Sequence, residues 1–149
     1  MTASAAAPAV SHARWAELDA ETAYAILQLR TLVFVVEQRC VYQDLDGRDL
    51  EETALQLWIS DAGRVVSAAR LLVEPGGAHR IGKVATHPDH RRRGFARALV
   101  TRALQLAGGE VVLNAQVQLT RWYQGFGFEV SGDQWDDQGI PHIPMRLVR

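Results

Sequence analysis

The segment VATHPDHRRRGFA, residues 84–96, decides how this chain folds. Its β-branched start predicts the end of a strand, and Pro88 stops that strand from continuing its ladder. The first N–H groups of a helix lack intrahelical acceptors and carry partial positive charge, so a helix that starts after this turn can bind phosphate directly. Such a helix is predicted after Gly94, where apolar residues recur on one face: Phe95, Ala98, Leu99, Ala103 and Leu106.

The arginine-rich turn has one simpler interpretation and two nucleotide-binding alternatives. For an isolated Arg-x-x-Gly-x-Ala, a solvated basic turn with a capping glycine is the favoured interpretation, because short motifs have many false positives. The strand before the turn and the amphipathic helix after it favour phosphate binding. The P-loop pattern is absent, and only one of the three glycines of a Rossmann fingerprint is present, so both of those sites are excluded.

The residues before the junction predict one helix and three strands. Asp19 is a candidate N-cap for a helix that ends near Val35, followed by a polar loop over 37–52. Two β-branched stretches, 54–60 and 64–73, are separated by a turn and predict a hairpin. A third strand is expected over 79–86.

The residues after the junction predict a short buried strand and a compact C-terminal region. The strand is expected over 111–115, a short helix over 117–124, and final strands over 128–131 and 142–148. The whole order predicts an α/β fold, α+β in its layout, with a mixed and mostly antiparallel sheet and helices on both faces.

Composition limits the classes of function that the chain can have. Its 149 residues suit one domain over 13–149, after an Ala- and Pro-rich tail over 1–12 that we expect to be flexible. The net charge of -1 argues against a nucleic-acid partner, and no apolar run is long enough for a membrane partner. Cys40 is the only cysteine, which excludes an internal disulfide and suits a cytoplasmic location.

The junction resembles the acetyl-CoA motif of the GNAT superfamily, Gln/Arg-x-x-Gly-x-Gly/Ala, which Arg91, Gly94 and Ala96 match. The resemblance implies a GNAT-like sheet, backbone amides of residues 92–97 that hold the CoA pyrophosphate, and a strand at 84–86 that pairs with the pantetheine arm. It implies these cofactor contacts: Val84, Ala85, Thr86, Arg91, Arg92, Arg93, Gly94, Phe95, Ala96, Arg97, Asn114 and Tyr123.

A second match, LTRWYQGFGF at residues 119–128, resembles the aromatic ending of the GNAT site. Tyr123 holds the position of a general acid, because a phenol keeps its proton at neutral pH and can donate it to a leaving thiolate. A tyrosine that only packs on the final strands is the alternative. By the same resemblance the Val84 N–H is the candidate oxyanion donor, and Asn114 at a strand end is a contact for pantetheine or substrate, or a strand-end cap.

Residues 30–46, with FVVEQ at 34–38, and 137–145, with GIPHI at 139–143, resemble ElaA-type GNAT proteins. Acceptor binding is expected from Glu37, Tyr42 and His142, and either Glu37 or His142 is a candidate general base. Loop acids form either an acidic pocket for a cationic amine or a solvated face, the candidates besides Glu37 being Asp44, Asp46 and Asp49.

Taken with the resemblance, the sequence implies an acetyl-CoA-dependent N-acetyltransferase that acts on an amine in a ternary complex. The alternatives are a non-catalytic acyl-CoA sensor and an acyltransferase that uses longer acyl-CoA. No metal is expected, and the acceptor is either a small molecule or a peptide amine. The protein is expected to be a monomer or a homodimer.

Overall fold

A computed structural model describes residues 7–149, which form one mixed sheet with helices on both faces. The strand order is β1-β2-β3-β4-β5-β8-β6, with β7 also on β8, and only β4 and β5 are parallel neighbours within these residues. The helices are α1 Ala20–Arg30, α2 Phe95–Leu106 and α3 Thr120–Gln124. The strands are β1 Ser11–Ala13, β2 Leu55–Asp61, β3 Arg64–Val73, β4 His79–Thr86, β5 Val111–Gln116, β6 Glu129–Val130, β7 Trp135–Asp137 and β8 Ile140–Leu147.

The pairing of β4 with β5 positions the site. These parallel strands are joined by α2, as the expected strand–helix–strand crossover requires, but only two residue pairs connect them: His79 with Val111 and Arg80 with Val112. Beyond those pairs the strands separate, although both continue. The backbone edge of β4 that faces the gap is therefore open to an extended ligand.

A bulge distorts β4 beside this gap. Lys83 and Val84 of β4 both lie opposite Ala69 of β3, and Lys83 has a φ of 50°. A bulge leaves one residue of the strand outside the regular ladder and redirects its neighbours. The bulge therefore places an irregular piece of backbone at Val84, where the sequence predicts an oxyanion donor.

Helix α1 packs on one face of the sheet and continues further than expected. The Asp19 side chain accepts a hydrogen bond of 2.7 Å from the Thr22 N–H, as predicted for an N-cap. The helix continues as a π-helix over Thr31–Glu37, two residues past the expected end. π turns occur often at functional sites, and this one carries Glu37 to the junction.

Helix α2 covers the opposite face, which confirms the predicted α/β arrangement. Its buried side chains Leu99, Val100 and Ala103 pack against the main core, which includes Leu57 and Leu71. The junction between β4 and α2 is thus fixed on both sides, by the sheet and by the core.

Two short strands differ from the sequence-based expectation. Residues 11–13 pair with β2, so the predicted tail over 1–12 is wrong for its last residues, and residues 1–6 lie outside the described chain. Residues 135–137 form β7, which pairs with β8 across a turn in which Gln138 and Gly139 both have positive φ. Such short strands have too little periodicity to be predicted, because their partners stabilise them.

A buried ion-pair network attaches the polar loop over 38–54 to the sheet. Arg30, only 1% exposed, donates to Asp44 at 2.9 Å and to Asp49 at 2.7 Å. The Gln56 amide of β2 also donates to Asp49 at 2.9 Å, and Arg70 of β3 binds Asp46 with both terminal nitrogens. The network fixes a loop whose larger apolar side chains, Val41, Leu45 and Leu50, are exposed and contribute little to the core.

We predict that Arg30→Met lowers the free energy of unfolding by about 3–5 kcal/mol, because two buried carboxylates would lose their cation. Chemical denaturation measures the change. Arg14→Met is the matched control, since Arg14 also pairs with a carboxylate but at the exposed surface. Equal effects of the two substitutions would contradict a structural role for the network.

Candidate active site

The N-terminus of α2 presents free backbone donors. Gly94 caps it in the left-handed region with a φ of 79°, and no side chain accepts from the first turn. The first bond within the helix runs from the Ala98 N–H to the Gly94 carbonyl. The N–H groups of Phe95, Ala96 and Arg97 therefore lack intrahelical acceptors and attract an anion.

A cleft of about 610 Å³ opens in front of this helix end and follows β4. Arg93 is exposed and is not among the lining residues, and Asn114 lines a neighbouring cavity instead. The other predicted cofactor residues all line the cleft: Val84, Ala85, Thr86, Arg91, Arg92, Gly94, Phe95, Ala96, Arg97 and Tyr123.

Glu37 binds Arg91, in the turn that precedes α2, and lines the cleft. Both terminal nitrogens of Arg91 donate to the Glu37 carboxylate, and Arg91 Nη1 lies 2.9 Å from Glu37 Oε2. Arg91 Nε also donates to the Thr86 carbonyl. Hydrogen bonding to Arg91 lowers the pKa of Glu37 below its usual value. The expectation of Glu37 as an acceptor ligand or base therefore disagrees with this geometry, because its two oxygens are held by a cation.

A second cavity, of about 260 Å³, lies between the loop that follows the π-helix, the gap in the sheet, and the hairpin of β7 and β8. Tyr42, Asn114 and His142, which the sequence predicts near an acceptor, line it, and we therefore call it the acceptor cavity. Four residues line both this acceptor cavity and the cofactor cleft: Gln38, Val84, Leu119 and Tyr123.

Tyr123 lies at the boundary between the two cavities. It is 6% exposed, and its ring packs edge-on against Trp122 and Phe128, with centroid distances of 4.8 and 6.0 Å. Burial raises the pKa of Tyr123 to about 12, because the phenolate would lose its hydration. The hydroxyl group is thus protonated throughout the neutral range.

His142 is held in one tautomer on the far wall of the acceptor cavity. Its Nδ1 lies 2.8 Å from the Ile140 carbonyl, which can only accept, so Nδ1 carries the proton. The imidazole stacks on Trp135 with a centroid distance of 5.7 Å. In the neutral ring Nε2 is therefore the proton acceptor.

The loop acids do not form an acidic pocket, so that expectation is wrong. Asp44 and Asp49 are buried against Arg30, and Asp46 is bound by Arg70. Each of these carboxylates pairs with an arginine of the protein, because the loop packs against α1 and β3, which carry those arginines.

Tyr42 is connected to the same ion pairs through Asp44. Its hydroxyl group donates to Asp44 at 3.1 Å, and Lys83 contacts Asp44 at 2.9 Å and lies 4.9 Å from the Tyr42 ring centroid. Burial, together with the Asp44 charge, raises the pKa of Tyr42 well above its usual value.

Sequence reasoning missed several lining residues of the acceptor cavity, because they are far apart in the chain. The missed residues with polar or aromatic groups are Phe34, Gln38, Cys40, Arg70, Arg80, Lys83, Gln116, Trp135, Asp137 and Gln138. Within residues 7–149 no helix is long and apolar enough to cross a membrane.

The protein-family model described as an acetyltransferase (GNAT) domain matches residues 20–149 of this chain. UPF0039 protein Rv2851c of Mycobacterium tuberculosis is 42% identical over 137 residues, which are 88% of each chain. An acyl-CoA N-acyltransferase structure from Pseudomonas aeruginosa has 36% identity and a TM-score of 0.89, covering 95% of this chain and 99% of that one. The structure of Escherichia coli ElaA has 32% identity and a TM-score of 0.88, covering 94% and 99%. This chain therefore belongs to the GNAT acetyltransferase family, as a close homologue of ElaA and the UPF0039 proteins, and it is an acyltransferase.

Proposed function

We propose that the protein transfers an acetyl group from acetyl-CoA directly to an amine while both are bound. The observation that carries this proposal is the shared wall of the two cavities. Val84 and Tyr123 line both, so an acyl donor in the cleft and an amine in the acceptor cavity meet beside them.

The residues of the cleft fit the cofactor. Backbone donors at the start of α2 suit a pyrophosphate, and Arg91 and Arg92 add charge-assisted contacts. The open edge of β4 beyond Arg80 suits the amide-containing pantetheine arm, which adds to a sheet edge like a strand. Bound acetyl-CoA supplies the activated acetyl group as a thioester.

The residues at the meeting point suit the proton transfers. His142 Nε2 accepts a proton from the acceptor ammonium, and the Val84 N–H donates to the carbonyl oxygen as negative charge develops there. A C–N bond forms and the C–S bond breaks. Tyr123 then donates its proton to the departing sulfur, since the burial that raises the pKa of the phenol also raises that of a thiol in the same place. The nitrogen releases its remaining extra proton, which restores the Tyr123 phenol, and the proton on His142 passes to solvent, so the products are the amide, CoA as its thiol and one proton.

Direct transfer is favoured over an acyl-cysteine intermediate. Cys40 lines the acceptor cavity, but burial raises the pKa of its thiol, with a further contribution from Asp137. A raised pKa reduces the thiolate fraction that nucleophilic attack requires. A longer acyl donor and a non-catalytic sensor are the alternatives. Competition between acetyl-CoA and longer acyl-CoAs tests the first, and thiol release over a set of amines tests the second.

We expect Tyr123→Phe to lower kcat by about 10²–10⁴-fold, because it removes the proton donor but keeps the ring packing. Thiol release measures turnover, and calorimetry should show CoA affinity changed by less than about twofold. Tyr24→Phe is the control, since Tyr24 is 71% exposed and lines neither cavity. Unchanged turnover in Tyr123→Phe would remove this residue from the mechanism.

We expect His142→Gln to lower kcat by about 100-fold near neutral pH, because the amine would lose its proton acceptor. The loss should shrink as pH rises, since more of the amine is then already deprotonated. His79→Gln is a matched control, because His79 also contacts a carbonyl, that of Gly108, but lines neither cavity. A loss that is independent of pH would argue against a base.

We expect Glu37→Gln to strengthen CoA binding by roughly two- to fivefold. In the variant, Arg91 would not have to break an ion pair with Glu37 before it binds the pyrophosphate. Calorimetry with CoA measures the change, which should diminish at high salt. Glu17→Gln, which removes another carboxylate paired with an arginine, is the control. Weaker CoA binding would instead show that Glu37 positions Arg91.

A further inference from the structure

The acceptor cavity is lined by three basic side chains. Arg70 and Arg80 extend from β3 and β4, and Lys83 lies at the bulge of β4. Among the described lining residues, Asp137 is the one acidic side chain. The surface that meets an acceptor is therefore richer in positive than in negative charge.

The carboxylates that balance these cations lie outside the cavity lining. Each of the three cations lines the cavity, whereas none of their three counter-ions does. The pairs are Arg70 with Asp46 at 2.8 Å, Arg80 with Glu74 at 2.9 Å, and Lys83 with Asp44 at 2.9 Å.

Both arginines also have a buried nitrogen that lacks a hydrogen-bond acceptor. Within residues 7–149, Arg70 Nε and Arg80 Nη1 have no hydrogen-bond partner, and the Arg70 side chain is only 6% exposed. A buried guanidinium donor without an acceptor is unfavourable, and an anionic oxygen nearby would relieve it. Both side chains line the cavity, so an anionic ligand that shifts them can accept from donors that the protein itself leaves unpaired.

The strand register places these arginines near the reaction centre. Arg70 lies opposite Gly82, and Arg80 comes two residues before Gly82 in β4. Gly82 and Arg80 are two and four residues from Val84, roughly 7 and 13 Å along a strand. Long arginine side chains shorten these distances, so an anionic group within a few bonds of the reacting amine falls in reach.

We infer that the acceptor is a small molecule that carries a carboxylate as well as its amine, with Arg70, Arg80 and Lys83 providing the carboxylate-binding side of the cavity. This inference rests on the proposed acetyl transfer. The cavity volume of about 260 Å³ suits a molecule of amino-acid size. A polyamine would place extra positive charge against three cations and is disfavoured.

The test compares matched acceptors in a thiol-release assay with acetyl-CoA. Each set contains an amino acid, its carboxamide and the amine that lacks the carboxylate, for example tyrosine, tyrosinamide and tyramine, with spermidine as a polycation. In reactive sets we expect kcat/KM of the acid to exceed that of the amide by about tenfold or more, the effect of one charge-assisted hydrogen bond. Equal or better rates with amides, amines or spermidine would overturn the inference.

Variants separate a carboxylate contact from a structural effect. Arg80→Gln should raise KM for the acid about tenfold, with little change in kcat, in KM for acetyl-CoA or in the rate with the amide. Arg102→Gln is the control, because Arg102 lies on α2 and lines neither cavity. An equal loss with acid and amide would show that Arg80 acts only on the fold.

A binding readout keeps this inference distinct from the proposed function. Thermal shift of the CoA-saturated protein with each amino acid, and with its carboxamide, reports acceptor binding without turnover. Stabilisation by the acid alone, reduced in Arg80→Gln, would support the carboxylate site even if no thiol were released, in which case only catalysis would fail. Thiol release with neutral acceptors alone would leave acetyl transfer intact and overturn the carboxylate site.

Discussion

The separation of β4 from β5 after two residue pairs is the constraint on which the rest of the structure depends. Regular pairing along both strands would fill the gap with backbone hydrogen bonds and leave no edge for a ligand. Helix α2 connects the two strands, and its N-terminus, which receives no side-chain cap, follows the end of β4 that borders the gap. One irregularity of the sheet therefore creates both an open strand edge and a set of free N–H donors, the two backbone features that suit an extended, phosphorylated cofactor.

The bulge at Lys83 and Val84 connects this backbone geometry with the acceptor side. It places Val84 on the wall shared by the two cavities, and it places the single lysine of the chain beside Tyr42 and Asp44. Lys83 and Tyr42 thus join the ion-pair network of the polar loop through Asp44, which Arg30 also binds. The stability of the loop and the shape of the cavity are coupled here, because Arg70, which binds the loop acid Asp46, also lines the cavity.

The sequence was informative wherever one contiguous segment carries the physical signal. The hairpin, β4 and α2 lie where periodicity and turn residues predict them, and the family follows from the segments 84–96 and 119–128. The N-cap at Asp19 is local too, since its acceptor and donor are three residues apart. The π-helical continuation to Glu37 was not predicted, because its apolar residues suit an ordinary helix and the change of hydrogen bonding has no sequence pattern.

By itself the sequence determined the order of the main elements, the turn between β4 and α2, the GNAT family and the segment that holds Tyr123, because each depends on contiguous stretches of the chain. Tertiary structure decided which charges are available. The loop acids look like a pocket for a cation in the sequence, yet Arg30 and Arg70 bind them, and Glu37 pairs with Arg91 from 54 positions away. Charge pairing depends on distance in space, and a reversal of the acceptor cavity from acidic to cationic is visible only once the chain has folded.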